Sequence, residues 1–234
     1  MLDQIKLYSA ENYTEYLTSV ALNVGRTAID FAAVERVPRY TLEKRENDAE
    51  HSFMLSMLAI EFATQYNESH QQNAAIDVGM VAQYATVHDL IELETGDTPT
   101  FNLNSAEHAE KCAKEAAAKE GLFQRLPPHL ALLAQRYEEQ IDVESRFVKL
   151  IDKLLPIIVD IISGTGAHVM QHDYHTHSAA QAAAIHSKNQ RRLESIFSEP
   201  WAQPFLEIRQ LLAVMFIKTL VNDLDGEQLT IPYA

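Results

Sequence analysis

The amino-acid sequence predicts an all-α fold. Apolar residues recur at helical spacing in one segment after another, and no segment shows sustained period-two alternation. Only 7 Gly and 8 Pro occur in 234 residues, few for a turn-rich β protein. With 47% hydrophobic and 22% charged residues, the composition is that of an ordinary globular chain. Its length suffices for one sizeable core, and neither linker nor internal repeat divides it, so a single domain over 1–234 is expected.

The elements follow in order. Leu17, Val20, Ala21, Val24, Ala28 and Phe31 predict a helix over 11–35. The charged stretch RVPRYTLEKREND, with Pro38, reads as a loop or irregular segment. A helix over about 49–66 is apolar on most of its circumference, which predicts burial at the centre. After the polar break NESHQQN comes a helix over about 74–94, ended by Gly96, Asp97 and Pro99. A charged amphipathic helix is expected over about 105–120, then a boundary at Leu126, Pro127 and Pro128, then a short helix near 129–139. Residues 142–163 read as one strongly apolar helix kinked at Pro156, since a mid-helix proline removes a hydrogen bond. The polar, His-rich segment 166–178 reads as a loop outside any site. Helices near 178–196 and 202–222 and a tail, EQLTIPYA, complete the chain.

The formal net charge of -14 repels polyanions and argues against long nucleic acid as a partner, although a metal ion and an arginine can reverse the potential locally. Cys112 is the single cysteine, so no intrachain disulfide forms, and its polar surroundings mark it as a bystander. No apolar run reaches 18 residues, which argues against a transmembrane helix. The N-terminal segment lacks a signal peptide's apolar centre, so a cytoplasmic location is expected.

Against this background, some ionisable residues stand out of place. His51 opens the second helix, His88 and Asp89 lie near the end of the third, and Asp152 sits among Val148, Leu150, Ile151, Leu154 and Leu155. A buried carboxylate must be paired, hydrogen-bonded or metal-bound. Two imidazoles and two carboxylates from separate helices can answer one another through a single divalent cation. Mixed nitrogen and oxygen ligation favours Mn, Fe, Co, Ni or Zn over Ca. The competing readings are ordinary: His51 as a helix-start hydrogen-bonding residue, and Asp152 with Lys153 as a structural ion pair.

The set His51, His88-Asp89, Asp152 resembles the His…His-Asp…Asp pattern of HD-domain phosphohydrolases. ENDAEHS around His51 and HDLIELETGDTPT over 88–100 resemble stretches of the YfbR-like 5'-deoxynucleotidase branch, as does RVPR at 36–39. The resemblance spans roughly 30–165, leaving a C-terminal helical extension over about 178–222. It implies a multi-helix HD-domain bundle and a divalent metal (Mn, Co, Fe, Ni, Mg or Zn) on His51, His88, Asp89 and Asp152. It also implies hydrolysis of a (deoxy)nucleoside 5'-monophosphate and, together with abundant apolar helix surface, a homodimer. Glu92 lies four residues after His88 and three after Asp89, which places all three on one helical face and suits a proton carrier. Asp97 is implied to position water or substrate, with turn chemistry as its ordinary alternative. Arg36 is implied to grip phosphate, with Arg39, Lys44 and Arg45 as competitors. Val37 stands where that branch commonly has a tryptophan near the Arg-x-Pro element, so selectivity for deoxyribose is not implied. The rivals are a nucleoside triphosphate or alarmone-type phosphohydrolase, and a non-catalytic helical protein with a vestigial metal site.

Overall fold

The computed structural model describes residues 10–70, 75–97, 101 and 105–224. Pro99, the end of the TGDTPT turn and the EQLTIPYA tail lie outside the described residues. Helices dominate, as the sequence predicts. Helix α1 (Ala10–Phe31) leads into strands β1 (Glu35–Arg39) and β2 (Arg45–Asn47), then α2 (Asp48–Ser69), α3 (Val78–Val87) and the short α4 (Glu92–Thr95). Helices α5 (Ser105–Arg125), α6 (Pro128–Glu139), α7 (Val143–Asp152) and α8 (Leu155–Ser163) follow. A helical turn α9 (Gly166–His168) runs into a π-helical turn (Val169–Asp173), and α10 (Ala179–Ile196) and α11 (Gln203–Leu224) flank a 3-10 turn at Pro200–Ala202.

Helices α2, α3 and α7 form the centre of the first core cluster, where Leu55, Ala59, Val81, Tyr84, Phe147 and Leu150 have no exposed surface. Each such aliphatic or aromatic side chain contributes about 1.5–3 kcal/mol relative to an exposed one. Each helix starts with a sequence-encoded cap. Asn47 forms a capping box with Glu50 at α2, Asp77 accepts from Met80 N–H at α3, and Asp142 accepts from Ser145 N–H at α7. These caps fix the entry of the three helices that bear the out-of-place histidines and aspartates. A second cluster joins Val37 of β1, Ile157 of α8, Val169 and Met170 to Ala182, Ala213, Phe216 and Leu220 of α10 and α11.

Several expectations need correction. The charged segment after α1 is an antiparallel hairpin, not an irregular loop, with Tyr40 N–H donating to Lys44 C=O at 2.9 Å. It is too short to show alternation, and Pro38 is tolerated because a two-stranded ribbon is all edge. Helix α2 is buried on one face only: Phe53, Met57 and Ile60 are exposed opposite His51, Leu55 and Ala59. The apolar stripe of α1 is likewise largely exposed, with Phe31 buried but Leu17 and Val24 open to solvent. The expected helix over 74–94 is interrupted by a turn at residues 88–91, and Gly96 ends α4 at φ 68°.

Pro156 breaks the expected helix over 142–163 rather than kinking it. Without an N–H to return to Asp152 C=O, α7 stops at Asp152 and the proline takes a place in the first turn of α8. The chain thereby delivers the Asp152 side chain at a helix end. The His-rich segment is helical over its first half, because Val169 and Met170 are drawn into the second core cluster.

Candidate metal centre

His51 comes from the first turn of α2, His88 and Asp89 from the turn after α3, and Asp152 from the last residue of α7. The mutual contacts of these three helices bring the four side chains together. His51 Nε2 lies 2.9 Å from Asp152 Oδ1 and 4.0 Å from Asp89 Oδ2. His88 Nε2 lies 2.8 Å from Asp89 Oδ2 and 3.9 Å from Asp152 Oδ1. One donor atom from each residue falls within 4.8 Å of all the others. Ligand bonds of about 2.1 Å separate adjacent donors by about 3–3.4 Å, so these separations surround a volume fit for one ion.

The donor set itself tests that fit. His88 Nδ1 donates to Ala85 C=O at 2.9 Å, which leaves Nε2 as a lone-pair donor. That nitrogen is buried and has no directed hydrogen bond, despite its closeness to Asp89. His51 Nδ1 meets Glu46 Oε2 at 3.3 Å, so its Nε2 is likewise aimed into the cluster. Backbone carbonyl and carboxylate partners of this kind orient imidazole ligands. Burial and Arg36 act to lower the His51 pKa, but its hydrogen bonds to Asp152 and Glu46 outweigh them and push it up to about 9. Burial acts to raise Asp89, yet His88 and Arg36 hold it well below the usual carboxylate range. Asp152 is also buried and is held low by Lys153, whose Nζ lies 2.6 Å from Oδ2, and by His51. The ordinary reading of an Asp152–Lys153 pair therefore holds, and Asp152 Oδ1 still faces His51 Nε2.

Arg36 sits beside this cluster in an unexpected role. Its Nη1 lies 2.8 Å from Asp48 Oδ1, 2.7 Å from Asp89 Oδ2 and 3.4 Å from Glu92 Oε2, and its Nε lies 3.5 Å from Glu46 Oε2. The carboxylates of Asp48, Asp89 and Glu92 form a second acidic group, and the guanidinium fills it. Arg36 lines the cleft, as a substrate-binding group should, but these contacts engage Nη1 and Nε, and only Nη2 stays outside them. The competing basic residues are engaged elsewhere: Arg39 and Arg45 on Asp173, Lys44 on Glu50.

Glu92 is 6% exposed, and burial together with Asp89 pushes its carboxyl up to about 11 against the pull of Arg36. It is a buried acid beside the cluster. Asp97 lines the same cleft, and burial raises its pKa, with Arg36 opposing. The cleft encloses about 420 Å³ and is walled by Lys149, Tyr137, Asp160, Tyr174 and residues of α10 and α11 in addition to Arg36, His88, Asp89, Glu92, Asp97 and Asp152; His51 lies behind this wall.

Sequence reasoning missed Glu46 and Asp48, although both stand in the quoted ENDAEHS stretch. It also missed Asp160 and Arg209, which occupy ordinary helical positions and carry no motif signal.

A helical bundle that converges His, His-Asp and Asp on one point, with a buried acid alongside, has the fold of HD-domain metal-dependent phosphohydrolases. Residues 33–197 match the HD domain family, and the chain belongs to that family, whose members bind divalent metals. Among solved structures, it resembles a protein described as a predicted metal-dependent phosphohydrolase from Magnetospirillum magnetotacticum MS-1. The TM-score is 0.61 and the identity 22%, over 87% of this chain and 93% of that one. An HD-domain phosphohydrolase from Listeria innocua matches with TM-score 0.55 and 18% identity, over 87% and 94% of the two chains. The PH0347 protein of Pyrococcus horikoshii OT3 matches with TM-score 0.53 and 19% identity, over 81% and 98%. At these identities the likeness concerns the fold. No curated protein matches. Among the described residues, no helix is long and apolar enough to cross a membrane.

Proposed function

We propose that the protein is a metal-dependent phosphomonoesterase acting on (deoxy)nucleoside 5'-monophosphates, with His51, His88, Asp89 and Asp152 as the metal ligands. The observation that carries this reading is the four-donor cluster with the buried Glu92 carboxyl beside it, held 3.4 Å from Arg36 Nη1. Together they supply a proton carrier and a cation site in one cleft. When bound, the divalent cation supplies Lewis-acid activation of water and neutralises charge at phosphorus. Glu92 carries the proton between the attacking water and the departing 5'-oxygen, as the O–P bond to water forms and the ester O–P bond breaks. Arg36 holds Asp89 and Glu92 in register and can offer Nη2 to a phosphoryl oxygen. Glu46 and Ala85 C=O keep both imidazoles turned toward the cation. Asp97 orients water or substrate at the same wall.

A nucleotide substrate is supported by the HDLIELETGDTPT resemblance and by a cleft of a size suited to a small molecule. A triphosphate substrate is the second reading, favoured by Lys149, Lys153 and Arg209 in the cleft wall. The deciding experiment is a panel of nucleoside mono- and triphosphates with several divalent metals, measuring phosphate and pyrophosphate release separately. Phosphate release from monophosphates is expected; pyrophosphate release from triphosphates alone would replace the first reading by the second. Glu92→Ala should keep its metal content while turnover falls by about 10²–10⁴, and full activity in that variant would remove Glu92 from the mechanism.

A further inference from the structure

Two deeply buried arginines line the cleft, Arg36 at 9% exposure and Arg209 at 4%. Their electrostatic surroundings are opposite. Arg36 is met by the carboxylates of Glu46, Asp48, Asp89 and Glu92. Arg209, on α11, has no ion pair among the described residues. Its Nη1 donates to Gln190 Oε1 at 2.9 Å, and its Nε has no hydrogen-bond partner. Glu194 opposes the effect of burial on Arg209 from a distance and is bonded to it through Gln190, whose Nε2 donates to Glu194 Oε1 at 3.0 Å. A guanidinium taken out of water without a counterion is unfavourable, and buried charges are ordinarily paired.

His186 of α10 adds to this. It is 4% exposed, lines the same cleft, and neither ring nitrogen has a partner. Its ring lies against Phe101 and Phe216, at centroid distances of 4.8 and 5.5 Å. Burial and the Arg209 charge lower its pKa to about 4, so the imidazole is neutral and can donate one hydrogen bond. Two side chains with unsatisfied donors lining one cleft are what an anionic ligand completes. Arg209 lies beyond residues 33–197, the segment matched to the family, whereas His186 lies within it.

We propose that Arg209 and His186 form a second anion subsite, so that a nucleoside phosphate carrying a second phosphate, bound apart from the His/Asp cluster, is preferred over the 5'-monophosphate. The subsite rests on the local geometry alone; its use in substrate selection rests on the phosphohydrolase reading. Guanidinium suits this task because its planar fork pairs with phosphate oxygens bidentately.

The test compares metal-loaded wild type and Arg209→Gln on a nucleoside 5'-monophosphate, the 5'-diphosphate and the 3',5'-bisphosphate, separating KM from kcat. Wild type should favour one of the doubly phosphorylated compounds, through KM, by about tenfold or more, and Arg209→Gln should erase that preference. Arg209→Lys should restore part of it. Equal KM changes on all three substrates, or none, would overturn the subsite. If Arg209→Gln does not fold, His186→Phe, an aromatic exchange between two phenylalanines, should erase the preference in its place. Should wild type hydrolyse none of these esters, the proposed function fails while the subsite remains testable. Calorimetric titration of inorganic pyrophosphate into metal-free protein would then show binding that Arg209→Gln loses, and identical titrations would refute it.

Discussion

Replacing Arg36 by Met asks whether this arginine exists for the substrate or for the protein. The substitution roughly keeps side-chain volume and removes the cation that lies 2.7–3.5 Å from carboxylate oxygens of Asp89, Asp48, Glu92 and Glu46. Removing one partner of a buried ion pair costs about 3–5 kcal/mol, because the remaining charge stays uncompensated. In a chain of this size each kcal/mol lowers Tm by roughly 2–4 °C, so a fall of roughly 6–20 °C is expected. Thermal unfolding followed by circular dichroism in EDTA measures it without metal or substrate. The deficit should also depend on pH. Burial already raises Asp48 to about 6 against the pull of Arg36, and losing Arg36 raises it further. A carboxyl whose pKa is raised on folding favours the folded state at low pH and loses that contribution as pH rises through the folded value. The variant should therefore recover relative to wild type as pH falls from 8 toward 5. A melting point within about 2 °C of wild type at pH 8 would refute the cage and return Arg36 to a purely ligand-binding role.

Other perturbations probe the surrounding structure. Glu46→Gln loosens the orientation of His51 and should weaken metal affinity by about 10–100-fold in a chelator competition; unchanged affinity would mean that the 3.3 Å contact orients nothing. Asp160, raised to about 8 by burial and then by Glu46 and Asp173, stabilises the fold below its unfolded value and loses that contribution as pH rises through 8. Asp160→Asn should consequently melt above wild type at pH 9, with the gap closing toward pH 4; parallel pH profiles would contradict this. Gly166→Ala would place a Cβ 2.8 Å from Phe216 Cζ, closer still to Cε2, in a buried part of the second core cluster. Overpacking of that kind costs about 1–3 kcal/mol, and an unchanged denaturation midpoint would show that the Phe216 ring yields freely.

The helices were legible because their apolar spacing and caps are local properties. Asn47, Asp77 and Asp142 announce the starts of α2, α3 and α7 in the sequence itself. The hairpin was not legible, since five- and three-residue strands carry too little pattern and are held by Val37 packing into the second core cluster. The Pro156 break was anticipated in position but not in kind, because the choice between kink and break depends on what packs against both sides. For the site, histidines and aspartates misplaced on apolar helices identified residues that converge in space. The partners of Arg36 were beyond reach. An arginine in an Arg-x-Pro stretch reads as a phosphate grip, and only the fold brings Glu46, Asp48, Asp89 and Glu92 around it. Arg209 was silent for the same reason: a lone arginine in an amphipathic helix gains meaning only from what it faces.

The charges around the cluster explain why this site calls for a divalent ion rather than for more arginine. Formally, the carboxylates of Glu46, Asp48, Asp89 and Asp152 bring four negative charges, while Arg36 and Lys153 return two. These groups leave negative charge beside the unpartnered His88 Nε2, which suits a cation there in exchange for the proton that Asp152 and Glu46 favour on His51. Arg36 already fills the carboxylate group of Asp48, Asp89 and Glu92, so the remaining opening is the one bordered by His51, His88, Asp89 and Asp152. A cation bound there would cancel the local excess and let a protein with a net charge of -14 accept a phosphate, with Arg209 in the same cleft to take a second anion as proposed.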